Sequence, residues 1–171
     1  MSKILVNTIG HTGDTTAMTV DSTGRILQPA KPAFQVVKTG DQSVSSATVT
    51  KIEWTTAVTD VGGHFSTTNN EYTIPVSGMY NIQCCLRGKA DAGTMDYVII
   101  YLYLDGAILK NLGQLNIRND ELNNSHVNGS VNVHLTAGDV ISFYGSISGS
   151  GTAFGGNSGG NFTFCSGFLI G

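Results

Sequence analysis

Alternating apolar and polar positions predict two long, half-buried strands. In residues 78–88, GMYNIQCCLRG, one face is apolar and the other is mostly polar. Residues 126–135, HVNGSVNVHL, repeat the alternation, with the valines and Leu135 on the inner face and His126 and His134 on the outer one. A period of two with one apolar face is typical of antiparallel sheets that cover a core on one side.

A third strand breaks this alternation. Residues 97–104, YVIIYLYL, are apolar or aromatic at every position, so both faces of the strand need to be covered. The core covers one face, and a partner subunit is the expected cover for the other. A loop of the same chain is the alternative cover. The residues that this pattern predicts at a subunit interface are Tyr97, Ile99, Tyr101 and Tyr103.

Turn residues divide the remaining chain into short strands. The chain has 22 glycines and no run of helix-forming residues, and connections are expected at Leu104-Asp105-Gly106, Ala137-Gly138-Asp139 and similar sites. About eight to ten strands at this spacing predict an all-β double-sheet sandwich or jelly roll.

Residues 1–32 follow a different pattern. They contain two short strand-like pieces, an Asp21-Ser22-Thr23-Gly24 turn and a closing Pro29-Ala30-Lys31-Pro32 linker. So short a segment cannot bury a core of its own, and we predict an attachment arm ordered by a docking partner, with residues 33–171 forming the head. The apolar residues expected to make the attachment are Ile4, Val6, Ile9, Met18, Val20 and Ile26.

Composition narrows the range of partners. Charged residues make up 12% of the chain, the net charge is −3, and no basic cluster is present, so binding to nucleic acid is not expected. No apolar stretch is long enough for a membrane span or a signal-peptide core. Three cysteines without metal-ligand spacing are expected to be reduced thiols, and Cys84 and Cys85 should point to opposite faces of their strand.

One segment raises the question of catalysis. The letters GNSGG around Ser158 differ by one residue from the GDSGG of trypsin-like proteases, but Asn157 replaces the aspartate. None of the four histidines lies in a suitable setting for a general base, and we expect a glycine-rich loop and no enzyme activity. No cofactor is expected. Carboxylates in the turns leave a calcium ion as an alternative.

Five motifs in order across residues 33–171 resemble the globular head of the complement C1q and tumour necrosis factor-like superfamily. They are Ala33-Phe34, GGHFSTTNNEYTIPVSGMYNI at 62–82, YLYLDG, LTAGDVI at 135–141 and the closing CSGFLI. Cys165 replaces an aromatic residue of the family motif, and the collagen-like stalk is missing. The resemblance implies a ten-stranded antiparallel jelly roll assembled as a homotrimer.

The arm is similar to the starts of short fibre and appendage proteins of bacteriophages, marine and cyanobacterial ones especially. This resemblance implies a virion protein, made in the bacterial cytoplasm, whose arm docks on other virion structural proteins and whose head meets a host surface glycan or protein. A decoration, cement or tail-cap protein without a receptor is the main alternative, and a virion enzyme is a third. The loops expected to face a receptor contain Asp91, Asn119, Asn157 and Ser158.

Overall fold

The computed structural model describes residues 6–13, 16–117 and 123–170, in which the chain forms sixteen strands and no helix. The strands are β1 Thr8–Gly10, β2 Thr16–Val20, β3 Ile26–Leu27, β4 Ala33–Val37, β5 Gln42–Ser43, β6 Thr50–Lys51, β7 Thr56–Asp60, β8 Phe65–Ser66, β9 Glu71–Thr73, β10 Gly78–Lys89, β11 Tyr97–Leu104, β12 Ala107–Asn116, β13 Asn124–Leu135, β14 Val140–Ser148, β15 Ala153–Gly155 and β16 Phe164–Leu169. The all-β prediction is confirmed. A count of ten strands is not, because several segments are only two or three residues long.

The strands form three antiparallel sheets. β1, β2 and β3 make a small sheet of their own near the start of the chain. In the seven-stranded sheet, β10 pairs with β13 along one side and with β16 and β15 along the other, while β4, β7 and β5 extend it. The six-stranded sheet runs β12-β11-β14-β9-β8, and β6 also pairs with β14.

The alternation in the sequence decides which face of each long strand is buried. On β10, Tyr80, Ile82, Cys84 and Leu86 are buried while the positions between them are half-buried or exposed, as predicted. On β13 the outer positions are exposed, again as predicted. One hydrophobic core lies between the two large sheets. Its largest fully buried side chains are Tyr72, Tyr80, Phe143, Phe154, Ile52, Ile74, Ile82, Leu86, Ile100, Leu102, Leu135 and Ile141.

The connection between β11 and β12 shows how turn chemistry sets register. Leu104 pairs with Ala107, so only Asp105 and Gly106 form the loop. Both residues have positive φ, 48° and 81°. A two-residue turn of this kind matches the right-handed twist of the strands, and Asp-Gly is a favoured sequence for it. The predicted turn at this site is confirmed.

The strand directions divide the connections between two ends of the head. Loops 38–41, 90–96, 149–152 and 156–163 lie at one end, called the loop end here, where β10 and β14 finish and β11 and β16 begin. The start of β4 and the finish of β16 lie at the other end, next to the arm. Within the described ranges, no helix is long and apolar enough to cross a membrane.

Candidate functional site

The loops predicted to face a receptor come together at the loop end. Asp91 follows β10, and Asn157 and Ser158 lie between β15 and β16. Asn119 lies outside the described residues. The loop end is opposite the end that carries the arm and the last residues of β16, so these loops and the arm are separated by about the length of β10.

Asp91 joins its own loop to the loop that precedes β15. Its backbone N–H donates to Ser150 O at 2.8 Å, and its carbonyl oxygen accepts from the Thr94 hydroxyl at 2.7 Å. A Cβ on Gly151 would lie 2.5 Å from an oxygen of the Asp91 carboxylate, so the two segments pack closely. Asp91 therefore has a structural role in ordering the loop end, and whether it meets a receptor stays a prediction.

The GNSGG segment is a hydrogen-bonded turn. Asn157 Oδ1 accepts from Asn161 N at 2.8 Å, and Gly160 N donates to Asn157 O at 2.8 Å. Ser158 is exposed at the tip, and no hydrogen bond joins it to any of the histidines in the described part of the chain. The side-chain amide therefore shapes the loop, and the geometry supplies no general base to the serine.

A cluster of Arg87, Phe162, His126 and Asn124 lies beside this turn, on the outer face of the seven-stranded sheet. The Arg87 guanidinium stacks on the Phe162 ring, 4.4 Å from its centroid, and donates to Asn124 Oδ1 at 2.6 and 3.0 Å. His126 meets the same ring edge-on at 5.7 Å between centroids. No carboxylate among the described residues forms a salt bridge with Arg87.

Sequence reasoning missed this cluster because it depends on register. Arg87 and His126 lie opposite each other on β10 and β13, 39 positions apart in the chain, and Phe162 reaches them from the loop before β16. Burial, with a contribution from the Arg87 charge, lowers the pKa of His126 below 6.5. A cation on an aromatic face, flanked by side-chain amides, can bind the hydroxyls or carboxylate of a sugar.

The outer face of the seven-stranded sheet also exposes apolar side chains. Phe168 is 46% exposed and Met79 is 39% exposed, both toward the arm end. A shallow depression of about 300 Å³ lies on one side of Phe164, lined by Gln83, Cys85, Asn128 and Ser130 among others. A second, of about 320 Å³, lies on the other side, with Val58 and Gln35 on its wall. This face is an apolar and amide-rich surface with relief that a partner could fill.

The tyrosine face of β11 lies on the outside of the six-stranded sheet. Tyr97, Tyr101 and Tyr103 are half-buried, and Ile99 is only 9% exposed. Tyr103 stacks on Tyr144 of β14, with 4.0 Å between ring centroids. The same chain thus supplies part of the cover that the pattern requires, and a subunit contact at these four residues stays a prediction.

The small sheet of the arm exposes much of its apolar surface. Ile9 is 47% and Ile26 is 63% exposed, and Val6 is also exposed, while Met18 and Val20 are half-buried. Ile4 lies outside the described residues. The Asp21 carboxylate accepts from the Thr23 and Arg25 backbone N–H groups, each at 2.9 Å, so the predicted turn forms between β2 and β3. The hydrogen bond from Arg25 N–H, followed by those from the Thr23 and Arg25 side chains, holds the pKa of Asp21 well below its usual range.

Two hydrogen bonds join the end of the arm to the head. Lys31 Nζ donates to Ile170 O at 2.8 Å, and Leu169 N donates to Pro32 O at 3.0 Å. A cleft of about 400 Å³ lies at this junction. Within the part of the chain that the structure describes, no group of three or more His, Cys, Asp or Glu side chains is placed to hold a metal ion.

No protein-family model matches the chain, and no curated protein matches it in sequence. Solved structures do match its fold. The globular domain of zebrafish complement 1qA is 15% identical over 82% of this chain and 98% of its own, with a TM-score of 0.59. The Eiger TNF of S. frugiperda is 14% identical over 83% and 94%, with a TM-score of 0.63. Murine APRIL is 16% identical over 81% and 98%, with a TM-score of 0.56.

These likenesses define the class of the head. It is an antiparallel jelly roll with the fold of complement C1q and TNF proteins, as the sequence motifs predicted. At 14–16% identity the likeness concerns the fold alone, which serves many partners.

Proposed function

We propose that this chain is a structural virion protein of a bacteriophage, a short trimeric fibre whose arm docks on the particle and whose head is displayed for host-surface binding. In this proposal the protein is not an enzyme and binds no cofactor. It is made in the host cytoplasm and is located on the virion. The observation that carries it is the separation of two unlike surfaces, an apolar arm sheet at one end and a polar loop end at the other.

The arm sheet supports docking through its exposed side chains. Ile9, Ile26 and Leu27 each expose about half or more of their surface. This is a large apolar exposure for a sheet of only three short strands. Apolar surface of this kind gains stability when a partner covers it. The similarity of the arm sequence to appendage proteins of phages supports a virion component as that partner.

The loop end supports recognition of a glycan. Arg87 presents a cation on the face of Phe162, and Asn124 and His126 add polar groups beside it. Three copies of such a site in a trimer would bind a repeated surface polymer more tightly than one, through a high effective concentration.

A homotrimer is supported by the head fold and by its exposed apolar residues. The exposed Phe168 and Met79 favour the arm-end part of the outer face of the seven-stranded sheet as the larger contact, away from Arg87 near the other end of β10. The tyrosine face of β11 is the second candidate contact, because its own chain already covers part of it.

Docking is tested with full-length variants in reconstituted or infected-cell particles. Ile9→Asp combined with Ile26→Asp should remove the protein from purified particles, because a charge would be buried at the contact. Val49→Asp, at an exposed position of the head, is the matched control and should be incorporated normally. Equal incorporation of both variants would contradict docking through the arm.

Recognition is tested with the purified trimer and isolated host envelope. Arg87→Gln should weaken binding to the envelope at least tenfold, while Lys110→Gln, at an exposed cation on β12, should not. A correctly assembled trimer that fails to bind any envelope fraction would favour the alternative, a decoration, cement or tail-cap protein without a receptor.

A further inference from the structure

Two of the three cysteines lie directly opposite each other in the seven-stranded sheet. Cys84 on β10 pairs in register with Cys165 on β16, and both side chains are on the core face, 2% and 0% exposed. Both are free thiols in this structure. The third, Cys85, lies on the outer face and donates its Sγ–H to Phe162 O at 3.6 Å.

The hydrogen-bond pattern shows which kind of cross-strand pair they form. Ile170 N donates to Met79 O at 2.6 Å, so residues 79 and 170 are a hydrogen-bonded pair of the β10–β16 ladder. Such pairs alternate along an antiparallel ladder, which makes 84 and 165 a non-hydrogen-bonded pair. On the other side of β16, Lys38 N donates to Thr163 O at 2.9 Å, so these two residues are a hydrogen-bonded pair of the β4–β16 ladder. Alternation along that ladder makes Cys165 a hydrogen-bonded partner of β4, which agrees with its being a non-hydrogen-bonded partner of β10.

A non-hydrogen-bonded pair brings two cysteines within reach of a disulfide. The Cα atoms of such a pair are about 4.5 Å apart, and their side chains are closer than in the hydrogen-bonded kind. Disulfides join Cα atoms about 4.4–6.8 Å apart. The backbone is therefore already placed for the bond, and the two side chains share one face of the sheet.

We propose that Cys84 and Cys165 form an intramolecular disulfide that ties β16 to β10 when the protein meets an oxidising medium. β16 lies in the interior of the sheet, between β10 and β4, so the bond would fasten a strand on which both neighbours depend. The inference rests on the register of the two strands and is independent of the proposed function.

The reaction requires an external oxidant, and a small disulfide such as oxidised glutathione supplies it. The thiolate of one cysteine attacks a glutathione sulfur and releases one glutathione thiolate. The second protein thiolate then attacks the protein sulfur of this mixed disulfide and releases the other. The protein loses two electrons and two protons, and two molecules of reduced glutathione are formed.

Burial makes this exchange slow in the folded head. It raises the pKa of the Cys165 thiol, and a hydrogen bond with Cys84 raises that pKa further. Since the thiolate is the attacking species, the bond should form during folding or when β16 opens from the sheet. Once formed, it would close the loop from residue 84 to residue 165 and restrict the unfolded chain.

The test starts from the reduced full-length protein in a series of glutathione redox buffers. One set of samples is kept native, and a second is unfolded in guanidinium and refolded in the same buffers. Free thiols are then alkylated, and peptides are mapped by mass spectrometry without reduction. We expect a Cys84–Cys165 crosslink with Cys85 alkylated, and a rise in Tm of roughly 5–10 °C that reductant reverses.

Cys85→Ser is the matched control, because it removes the third thiol without touching the core pair. It should form the same crosslink and show the same rise in Tm. A Cys84–Cys85 crosslink, glutathione adducts without ring closure, no crosslink after refolding, or an oxidised form that melts below the reduced one would each overturn the proposal.

Discussion

Glycines at two positions set how closely the two large sheets approach at one edge. A Cβ on Gly113 of β12 would lie 2.7 Å from the carbonyl oxygen of Asn128 on β13. A Cβ on Gly129 would overlap the carbonyl oxygen of Leu112. Backbone atoms cannot move aside as a flexible side chain can, so this edge closes only with glycine at both positions.

Gly129→Ala should therefore destabilise the head strongly. We expect a loss of about 3 kcal/mol in the free energy of unfolding, measured by denaturant titration, because the strands must separate to admit the methyl group. Gly40→Ala is the control, since a Cβ there has no atom within 4 Å and its φ is ordinary. Equal stabilities of the two variants would show that the sheets do not meet at Gly129.

Ala47 offers a change of opposite sign. Its φ is 57°, a left-handed conformation that costs an alanine about 1 kcal/mol relative to glycine. Ala47→Gly should raise the free energy of unfolding by roughly 0.5–1 kcal/mol in thermal or chemical melts. Ala137→Gly, at a loop alanine without positive φ, should lower it instead. A loss of stability in both variants would contradict a strained Ala47.

Pairing of whole strands brings chemistry together that neither strand holds alone. β10 contributes Arg87, β13 contributes Asn124 and His126, and the loop before β16 contributes Phe162. The Arg87 guanidinium stacks on the Phe162 ring, and its positive charge disfavours the protonated form of His126. The cluster is therefore a property of the strand register, and a slip by one residue would turn Arg87 into the core.

The pH response of this cluster follows from the lowered pKa of His126. Below pH 6.5 the unfolded chain takes up a proton more readily than the folded head, so this histidine makes stability fall as the pH drops through that window. Arg87→Gln should move the pKa of His126 part of the way back toward 6.5, since burial remains. An NMR titration of the imidazole checks it, and an unchanged or lower pKa in the variant would contradict the assigned role of Arg87.

At the scale of the whole molecule, assembly depends on which of two outer sheet faces makes the larger subunit contact. One exposes Phe168 and Met79 toward the arm end, and the other presents half-buried tyrosines with Tyr103 stacked on Tyr144. The first has more apolar surface left to bury, so we expect it to make the larger contact in a trimer.

Sedimentation of variants with a new charge on one face or the other tests which face makes the subunit contact. Phe168→Glu should convert a trimer at micromolar concentration to monomers, because a carboxylate would be buried without a partner. The protein concentration at which half of the chains are trimeric should rise at least about 100-fold. Tyr101→Glu should leave most of the trimer intact. The reverse pattern would assign the contact to the tyrosine face, and a wild-type monomer at micromolar concentration would contradict the trimer.

Local patterns in the sequence determined the class of fold and several of its parts. The period of two in β10 and β13 identified their buried faces, because in a strand that period alone decides which side chains share a face. The Asp-Gly and Asp-Ser-Thr-Gly turns were predictable because backbone conformation in a tight turn depends on neighbouring residues. The motif order from Ala33 onward was enough to predict the jelly roll.

The tertiary structure alone decided which distant residues meet. The Arg87 and Phe162 pair, the opposed Cys84 and Cys165, and the close approach at Gly129 each join segments that are far apart in the chain. Such contacts depend on strand order and register, which are set by the packing of both sheets around one core. A residue pattern shows that a face is apolar or polar, and only the assembled sheets show what lies opposite it.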